Sequence, residues 1–457
     1  MRRSSRMFAL EPLALEYVAA GICNDHAVAI VDLCVERHPD RALARAMKKH
    51  RPHVVGFGGY SCHSRRVRQL VRRIKKRRPE VLVIVGGHHA TVVPEDFNLP
   101  EVDVIVRGEG VFACREILEA FEGGCSFSDI PGLYLPKLGQ LQATAERVPI
   151  HLDELPLPRR DLVDRSRYYE LWFHAKYQPG EQLFRPTASV RTSCGCKHRC
   201  TFCTQWQLNK GRYFIRSPEA VAEELKQIEE PCICFVDDET FLDADRMMKL
   251  ADAIEQAGIQ KRYYGWIRTS TVLEHPELLE RWRSIGLDRL FIGVESFNDD
   301  DLEAYRKGST TDDNKQAIAF LQKLEVAVLA SVIIDPAYGK EDFARVRRQM
   351  AEYPDTEQTF SVLTPAPGSI MTKKMKDLIT TDNFDLVDGW HTLLPTGLSL
   401  EDFYDEFSQL FSEARKYSMF RWMRPPMNEL LPLIYRSKRM VSAIRHGYRD
   451  HRPVKNR

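Results

Sequence analysis

The stretch Arg191-Thr-Ser-Cys-Gly-Cys-Lys-His-Arg-Cys-Thr-Phe-Cys-Thr-Gln-Trp206 holds three cysteines, Cys196, Cys200 and Cys203, separated by three residues and then by two. Three thiolates on one tight loop can bind three irons of a four-iron cluster and leave the fourth iron open, whereas four thiolates would close the cluster. A structural zinc site is one alternative, although it would want a fourth Cys or His at matching spacing, and buried unligated thiols are another. We do not interpret the nearby Cys194 as a ligand of the cluster.

Length and composition are those of an ordinary globular chain. The 457 residues have room for about three domains, and 43% of them are hydrophobic. Lys and Arg total 66 against 64 Asp and Glu, and this near-balance gives no reason to expect a nucleic-acid partner. All eleven cysteines precede residue 235, and four of them lie between Cys194 and Cys203, too close together for the disulfide framework of a secreted fold. The predicted location is therefore the reducing cytoplasm.

No stretch of the sequence approaches the roughly 20 apolar residues that span a bilayer. The longest candidate, Val326 to Ile334, has the length of a buried strand. The start, Met-Arg-Arg-Ser-Ser-Arg, is not followed by the apolar core of a signal peptide. We expect a soluble or peripheral protein.

Residues 1–124 are predicted to form a doubly wound α/β domain. Apolar strands are expected at Val54–Gly58, Val81–Val85 and Val102–Val106, with an amphipathic helix after the first of them. The strands end in glycines before the next helix, which is typical of a parallel sheet whose ligands bind outside the carboxyl ends of the strands.

A second alternating run begins near residue 188. Residues 125–187 lack sustained periodicity and are interpreted as a connector. Residues 188–368 are predicted to form a partial parallel (β/α)6 barrel. Its six strands are expected near Ser189, Ile233, Tyr263, Leu290, Val326 and Phe360.

The last region, 369–457, is predicted to be mostly helical and has a basic end. Its basic residues are Arg436, Lys438, Arg439, Arg445, Arg449, Arg452, Lys455 and Arg457. Its apolar residues just before or among them are Trp422, Met423, Met427, Leu430, Leu431, Leu433 and Ile434. Two interpretations stay open: peripheral contact with anionic headgroups at the inner membrane face, or a solvated terminal helix and tail.

The cysteine spacing resembles that of the radical S-adenosylmethionine enzymes. The resemblance implies that Cys196, Cys200 and Cys203 bind a 4Fe-4S cluster whose open iron is chelated by S-adenosylmethionine. It also implies a set of S-adenosylmethionine-binding residues, namely Phe202, Asp238, Arg268, Glu295 and Ser296. Asp237 and Asp238 end one barrel strand, and either carboxylate could accept the amino group of the methionyl moiety; we assign Asp238 and leave the other as a helix cap.

The N-terminal glycine turns, together with Pro12-Leu-Ala-Leu-Glu-Tyr-Val-Ala-Ala, resemble the cobalamin-binding domain that precedes the barrel in many of these enzymes. The implied cobalamin-binding residues are Gly59, Tyr60, Ser61, Gly86, Gly87, His88, Thr91, Gly108 and Glu109. The Asp-x-His-x-x-Gly motif of other cobalamin proteins is absent, so neither His88 nor His89 is assigned to cobalt. The family normally opens with a strand before the Glu-Pro-Leu segment, and the short stretch 1–10 predicts a truncated start or a sheet without that strand.

Longer segments, at 227–238, 285–295, 378–388 and 394–404, are similar to those of the hopanoid C-3 methylases. This resemblance implies a cobalamin-dependent methyltransferase that methylates an unactivated carbon of a lipid, with C-3 of a hopanoid as the specific expectation. The implied partners are a hopanoid or other apolar lipid, and a reductase, flavodoxin or ferredoxin that supplies electrons. The hard chemistry in such an enzyme belongs to its cofactors.

Two other functions are compatible with parts of the pattern. A cobalamin-associated radical cyclase or rearrangement enzyme would use the same cofactors without methyl transfer. A non-catalytic iron-sulfur or cobalamin sensor would follow if the short start abolished the cofactor site, but the barrel motifs argue against it.

Overall fold

The computed structural model describes residues 7–137, 139–173, 181–418 and 427–451. Its strands are β1 Val54–Gly58, β2 Leu82–Gly86, β3 Val104–Val106, β4 Leu133–Lys137, β5 Gln140–Ala143, β6 Tyr169–Leu171, β7 Phe184–Val190, β8 Ser193–Cys194, β9 Phe214–Ile215, β10 Cys232–Phe235, β11 Arg262–Arg268, β12 Leu287–Glu295, β13 Ala327–Ile334 and β14 Glu357–Val362. Its helices are α1 Leu13–Ile22, α2 Pro39–His50, α3 Ser64–Arg77, α4 His88–Val92, α5 Val111–Gly123, α6 Gln205–Leu208, α7 Pro218–Gln227, α8 Ala244–Gln256, α9 Thr269–Glu274, α10 Pro276–Ser284, α11 Asp299–Ala304, α12 Thr311–Lys323, α13 Lys340–Met350, α14 Ile370–Lys374, α15 Leu400–Ala414 and α16 Met427–Arg445.

The first sheet has five strands in the order β1-β2-β3-β4-β5. Strands β1, β2 and β3 are parallel, and β4 and β5 are antiparallel additions at the edge next to β3. Along β2, Val83 and Val85 pack with α3, whereas Leu82 and Ile84 pack with α5. Successive residues of the strand point to opposite faces, and these four are all apolar because helices cover both faces. The predicted doubly wound arrangement is confirmed.

The second sheet has seven strands in the order β14-β13-β12-β11-β10-β7-β6. The six strands from β7 to β14 in this order are mutually parallel, and only β6 runs antiparallel, beside β7. Alternate residues on the outer face, such as Ile233, Tyr263 and Leu290, pack in the core shared with the helices. The predicted partial (β/α)6 barrel is confirmed, and so is a C-terminal region built on α14, α15 and α16.

Three strands lie inside the segment 125–187 that we interpreted as a connector. Strands β4 and β5 form a hairpin that extends the first sheet, and β6 extends the second. The sequence did not predict them, because most side chains of β5 and the end of β4 are exposed and lack the apolar alternation of a buried strand. The domain boundaries at residues 124, 187 and 368 stay predictions.

Helix α1 joins the two sheets. Leu13 and Tyr17 pack against Val111 of α5 on one side and meet Cys194 and Phe214, from the hairpin β8–β9, on the other. The stretch 1–6 lies outside the described residues, and within the described part of the chain no strand of the first sheet precedes β1.

A buried ionic network supports the same junction. The Glu11 carboxylate accepts a hydrogen bond from the Ser189 amide at the end of β7 and pairs with Arg165. Arg160 donates to the Ser189 carbonyl at 2.6 Å and to Glu224 of α7 at 2.6 Å. The network fixes α1 against the strand that leads into the cysteine loop.

Glu16 is the poorly paired member of this network. Its side chain is fully buried and neither carboxylate oxygen has a hydrogen-bond partner, while the nearest cationic nitrogen, on Arg165, is 3.9 Å away. Burial raises the pKa of Glu16 to about 7. The native state therefore binds a proton that the unfolded chain has released, in the window from the ordinary value of 4.5 up to about pH 7.

Glu16→Gln is expected to raise thermal stability at pH 8 and to change it little at pH 5. Since the folded pKa lies above the unfolded one, the wild-type protein loses stability as pH rises through this window, by on the order of 3 kcal/mol. The neutral amide removes that loss. Melting temperatures at both pH values measure the effect, with the exposed Glu119→Gln as the control. A variant that is less stable at pH 8 than the wild type would show that Glu16 is a stabilising charge.

Candidate functional site

The cysteine loop follows β8 and is fixed by two carboxylates that come shortly after β10. Asp237 accepts hydrogen bonds from the amides of Thr192 and Ser193 at 2.7 and 2.8 Å and from the Thr192 hydroxyl at 2.7 Å. Asp238 accepts one from the Gly195 amide at 2.7 Å. Both carboxylates thus hold the backbone just before the first cysteine, and Asp238 keeps one oxygen beyond this bond.

The middle of the loop is held from the barrel and from the C-terminal side. The Thr201 amide donates to the Tyr305 carbonyl at 3.0 Å, and the Met371 amide donates to the Thr201 carbonyl at 3.0 Å. The Trp206 indole donates to the Cys200 carbonyl at 3.1 Å. The loop conformation is therefore set by its own hydrogen bonds as well as by anything bound to its thiols.

Arg268, the last residue of β11, reaches the buried thiol. Its Nη1 lies 3.2 Å from Cys200 Sγ, and its Nη2 donates to the Lys307 carbonyl. Arg268 is 9% exposed and Cys200 is 6% exposed, so the contact is shielded from water. This contact brings Arg268 to the predicted cluster.

Glu239 belongs to the site, although we did not assign it from sequence. Its Oε2 lies 3.3 Å from His198 Nε2 and 4.0 Å from Cys196 Sγ, and its Oε1 accepts a hydrogen bond from Thr271. Burial works to raise the pKa of Glu239, but the bonds from His198 and Thr271 outweigh it and lower that pKa. A charged carboxylate beside the cysteines could accept the ammonium of a bound amino acid, in competition with Asp238.

The other residues predicted to bind S-adenosylmethionine have protein partners. Phe202 packs edge-on against Tyr305 with ring centroids 5.6 Å apart. Glu295 ends β12 at a φ of 64° and pairs with the buried Lys307 at 2.8 Å, and Ser296 donates to Asp301 at 2.7 Å and caps the loop before α11. Lys307 was missed because nothing in the sequence points from it back to Glu295.

Glycines line the carboxyl ends of β1, β2 and β3. Gly58 of β1 pairs with Gly86 of β2, and the next residue, Gly87, has a φ of 88°. A Cβ on Gly87 would lie 3.0 Å from the Gly59 amide nitrogen, whereas one on Gly108 would meet nothing within 4 Å. The backbone is closely packed beneath this edge and open above it, as a bulky ligand requires.

The polar residues predicted around this edge fall into two groups. Some are used within the domain: the Ser61 hydroxyl lies 2.9 Å from His89 Nδ1, and the Glu109 carboxylate accepts from the Phe112 amide at the start of α5. Thr91 bridges two of the strand ends, since its hydroxyl donates to the Gly87 carbonyl and accepts from the Gly108 amide at 3.0 Å. The Tyr60 ring is 63% exposed and free to contact a ligand.

The two predicted cofactor sites face each other. His88 Nε2, at the start of α4, lies 3.1 Å from the hydroxyl of Thr204, the residue after Cys203. The His88 ring also lies 5.7 Å from that of Tyr60, and burial lowers the pKa of His88. A Cβ on Gly368 would touch Val92 at 3.1 Å, so the end of the barrel also reaches α4. The glycine edge of the first sheet is therefore the roof over the cysteine loop.

The residues present fit both cofactors. Burial raises the pKa of Cys196 to about 12 and that of Cys203 to about 11, so these thiols keep their protons until a metal displaces them. None of the eleven cysteines forms a disulfide. In the described ranges no three Cys, His, Asp or Glu side chains are grouped to hold a single metal ion. A cluster does not need such a group, because each iron that the protein binds takes only one thiolate. Cys194 instead packs against the apolar cluster that includes Leu13 and contacts Asn209.

The sequence also matches known families. A family model described as the radical SAM superfamily matches residues 190–350, and one described as the B12 binding domain matches residues 4–118. A hopanoid C-3 methylase from Methylococcus capsulatus is 33% identical over 406 residues, which cover 87% of this chain and 75% of the relative. The chain belongs to the cobalamin-binding radical S-adenosylmethionine enzymes.

Solved structures share the fold of this radical S-adenosylmethionine enzyme. OxsB, a cobalamin-dependent S-adenosylmethionine radical enzyme with aqua-cobalamin bound, gives a TM-score of 0.63 at 16% identity over 90% of this chain and 60% of its own. TsrM from Kitasatospora setae, a radical S-adenosylmethionine methyltransferase with cobalamin and a 4Fe-4S cluster bound, gives 0.62 at 15% identity over 97% of both chains.

Together the matches establish the class of this radical S-adenosylmethionine enzyme. It is a cobalamin-dependent methyltransferase, and its cofactors are a 4Fe-4S cluster, S-adenosylmethionine and cobalamin. Which residues bind each cofactor stays a prediction. Among the described residues, no helix combines the length and the apolar character needed to cross a bilayer.

Proposed function

We propose that this enzyme methylates an unactivated carbon of a large apolar lipid, and specifically C-3 of a hopanoid. The observation that carries the proposal is the 33% identity with a hopanoid C-3 methylase, which extends over 87% of the chain and so includes regions outside the cofactor core. Identity of this extent with a methylase favours methyl transfer over a cyclase reaction on the same cofactors.

The concave face of the barrel suits an apolar substrate. Trp266 of β11 and Phe291 of β12 lie side by side on it, with ring centroids 6.0 Å apart, and Tyr264 lies 5.0 Å from Trp266. These residues pack in a cluster separate from the outer core of the barrel, and both Trp266 and Phe291 keep part of their surface exposed. Aromatic side chains of this kind bury a large apolar area against a ring system.

Next to these rings, the interior of the barrel contains a buried charged residue, Arg289. Arg289 is almost fully buried; its guanidinium stacks 3.7 Å from the Tyr264 centroid and pairs with Glu170 at 3.1 Å. The charge is thus matched by an ion pair and by a ring face. The proposed substrate space lies between Arg289 and the cysteine loop.

The work divides between cofactors and protein. When bound, the cluster and S-adenosylmethionine supply the radical that removes a hydrogen atom, and cobalamin supplies the methyl group. In this proposal Arg268 and either Asp238 or Glu239 hold the methionyl carboxylate and amino group, while Trp266 and Phe291 orient the substrate. The contacts from His88 and Val92 hold the roof close to the barrel, so the three reactants meet with little water. A flavodoxin, ferredoxin or reductase would restore the electrons.

Expression of this gene in a hopanoid-producing host without its own C-3 methylase is expected to give a new hopanoid heavier by one methylene. The mass spectrum of extracted lipids, with the retention of a 3-methyl isomer, measures this. Hosts carrying the empty vector and the Cys200→Ala gene serve as controls. A new product of unchanged carbon count would favour the cyclase class, and unaltered hopanoids in a host whose protein is loaded with cofactors would reject the hopanoid substrate.

A further inference from the structure

Helix α16 has one side that packs against the barrel. Leu433 belongs to a cluster with Ala327 and Leu329 of β13. The Arg436 guanidinium lies 5.0 Å from the centroid of the Tyr169 ring and 4.2 Å from that of the Phe184 ring. These contacts reach β13, the neighbour of the edge strand β14, on one side and the β6–β7 pair on the other, so α16 lies across the gap on the open side of the barrel.

The opposite side of the same helix is apolar and exposed. Leu431, Ile434 and Tyr435 are 58%, 39% and 52% exposed, and their spacing of three and four residues places them on one face. Lys438, one turn further, is exposed on that face as well. We call these four residues the outer face of α16. Three neighbouring large apolar side chains in water are unusual unless something covers them.

The charge of the helix indicates what covers it. The sequence of α16 holds four basic residues, Arg436, Lys438, Arg439 and Arg445, against the single acid Glu429. Arg445 pairs with Asp405, whereas Lys438 has no ion-pair partner among the described residues. An apolar face that includes Lys438, on a helix with a net positive charge, fits a helix that lies in the interface of an anionic bilayer.

We propose that the outer face of α16 docks on a membrane with anionic headgroups, which brings the gap of the barrel beside the bilayer that holds the substrate. The benefit of docking rests on the proposed lipid substrate. The docking itself rests on the exposed apolar face and on the charge of the helix. The aromatic layer at Trp266 and Phe291 would then be reached from the membrane side, past Leu433 and Leu329. The segment 419–426, with Trp422 and Met423, and the basic residues beyond 451 lie outside the described residues and carry no part of this argument.

The test uses the full-length, cofactor-loaded protein and vesicles that contain no hopanoid. Wild-type protein is expected to sediment with phosphatidylcholine vesicles that include roughly 30% phosphatidylglycerol, about tenfold more strongly than with phosphatidylcholine alone, and less strongly in high salt. The double variant Leu431→Glu/Ile434→Glu is expected to lose about tenfold of this binding. The matched control is Val148→Glu, which changes an apolar side chain that is 79% exposed elsewhere, and should bind as the wild type does. Cleavage of S-adenosylmethionine in vesicle-free buffer should be equal in all three proteins.

Three results would overturn the docking proposal. They are absence of wild-type binding to the anionic vesicles, equal binding by the double variant, and a dimer in vesicle-free buffer that the double variant converts to a monomer, which would assign the face to a second copy. Because the vesicles lack hopanoid, the outcome is independent of the proposed reaction. Vesicle binding without a methylated product in the host would reject the substrate and leave the docking surface in place.

Discussion

Cys200→Ala is expected to abolish cleavage of S-adenosylmethionine, by at least about a thousandfold, while the N-terminal sheet stays folded. The variant removes one of three thiolates, and no other described side chain of the loop is placed to replace it, so the cluster loses an iron ligand. The buried Arg268 would also lose the partner that its Nη1 approaches at 3.2 Å. The measurement is 5'-deoxyadenosine formed under reducing conditions, together with the iron content of the protein.

The matched control is Cys194→Ala. This thiol lies two residues before Cys196 but packs against the apolar cluster that includes Leu13 and contacts Asn209. It should keep the iron and the activity. Cobalamin binding should survive in both variants, because the glycine edge of the first sheet contains neither residue. Undiminished cleavage in Cys200→Ala, or loss of the cluster in Cys194→Ala, would refute the assignment of the ligands.

Gly87→Ala is expected to lower cobalamin binding by more than tenfold. At a φ of 88° a non-glycine residue is strained by about 1–3 kcal/mol, and the new Cβ would lie 3.0 Å from the Gly59 amide nitrogen. Either the turn after β1 or the turn after β2 must shift, and both turns line the edge of the first sheet that is predicted to bind cobalamin. Titration of the protein with cobalamin, followed by the visible absorption of the loaded and unloaded forms, measures the affinity for cobalamin.

Gly124→Ala provides the control for backbone strain alone. Gly124 follows α5 at a φ of 65°, and a Cβ there would meet nothing within 4 Å. A similar loss of stability without loss of cobalamin affinity is expected. Equal cobalamin affinity in Gly87→Ala and the wild type would mean that the cofactor does not lie on the β1–β2 turns.

The fold was predictable where a strand is covered on both faces. In β2, four consecutive buried residues follow from helices on either side, and the pattern is visible in the sequence itself. The hairpin β4–β5 gives no such pattern, because it closes an edge and much of it faces water. Its position depends on the pairing of Leu133 with Val106, which no local property of the chain specifies.

The site divides in the same way. The three cysteines are predicted by spacing, since all three lie on one loop. Contacts between residues that are distant in sequence are not predictable in this way. Glu239 contacts Thr271, which is 32 residues away in sequence, and His88 contacts Thr204, which is 116 residues away. Ser296, whose binding of S-adenosylmethionine stays a prediction, makes a local contact instead, since its hydroxyl donates to Asp301 five residues later.

The junction made by α1 bears on how the chain is made. Glu11 is synthesised before its hydrogen-bond donor, Ser189, which follows 178 residues later. Glu224, which Arg160 binds, follows later still. At usual synthesis rates this delay lasts about ten seconds or more, during which Leu13 and Tyr17 lack their apolar neighbours from β8 and β9. Helix α1 can meet Val111 of α5 earlier, but the part of its apolar surface that contacts β8 and β9 is among the last to reach its native neighbours, and a chaperone would find that part accessible during the interval.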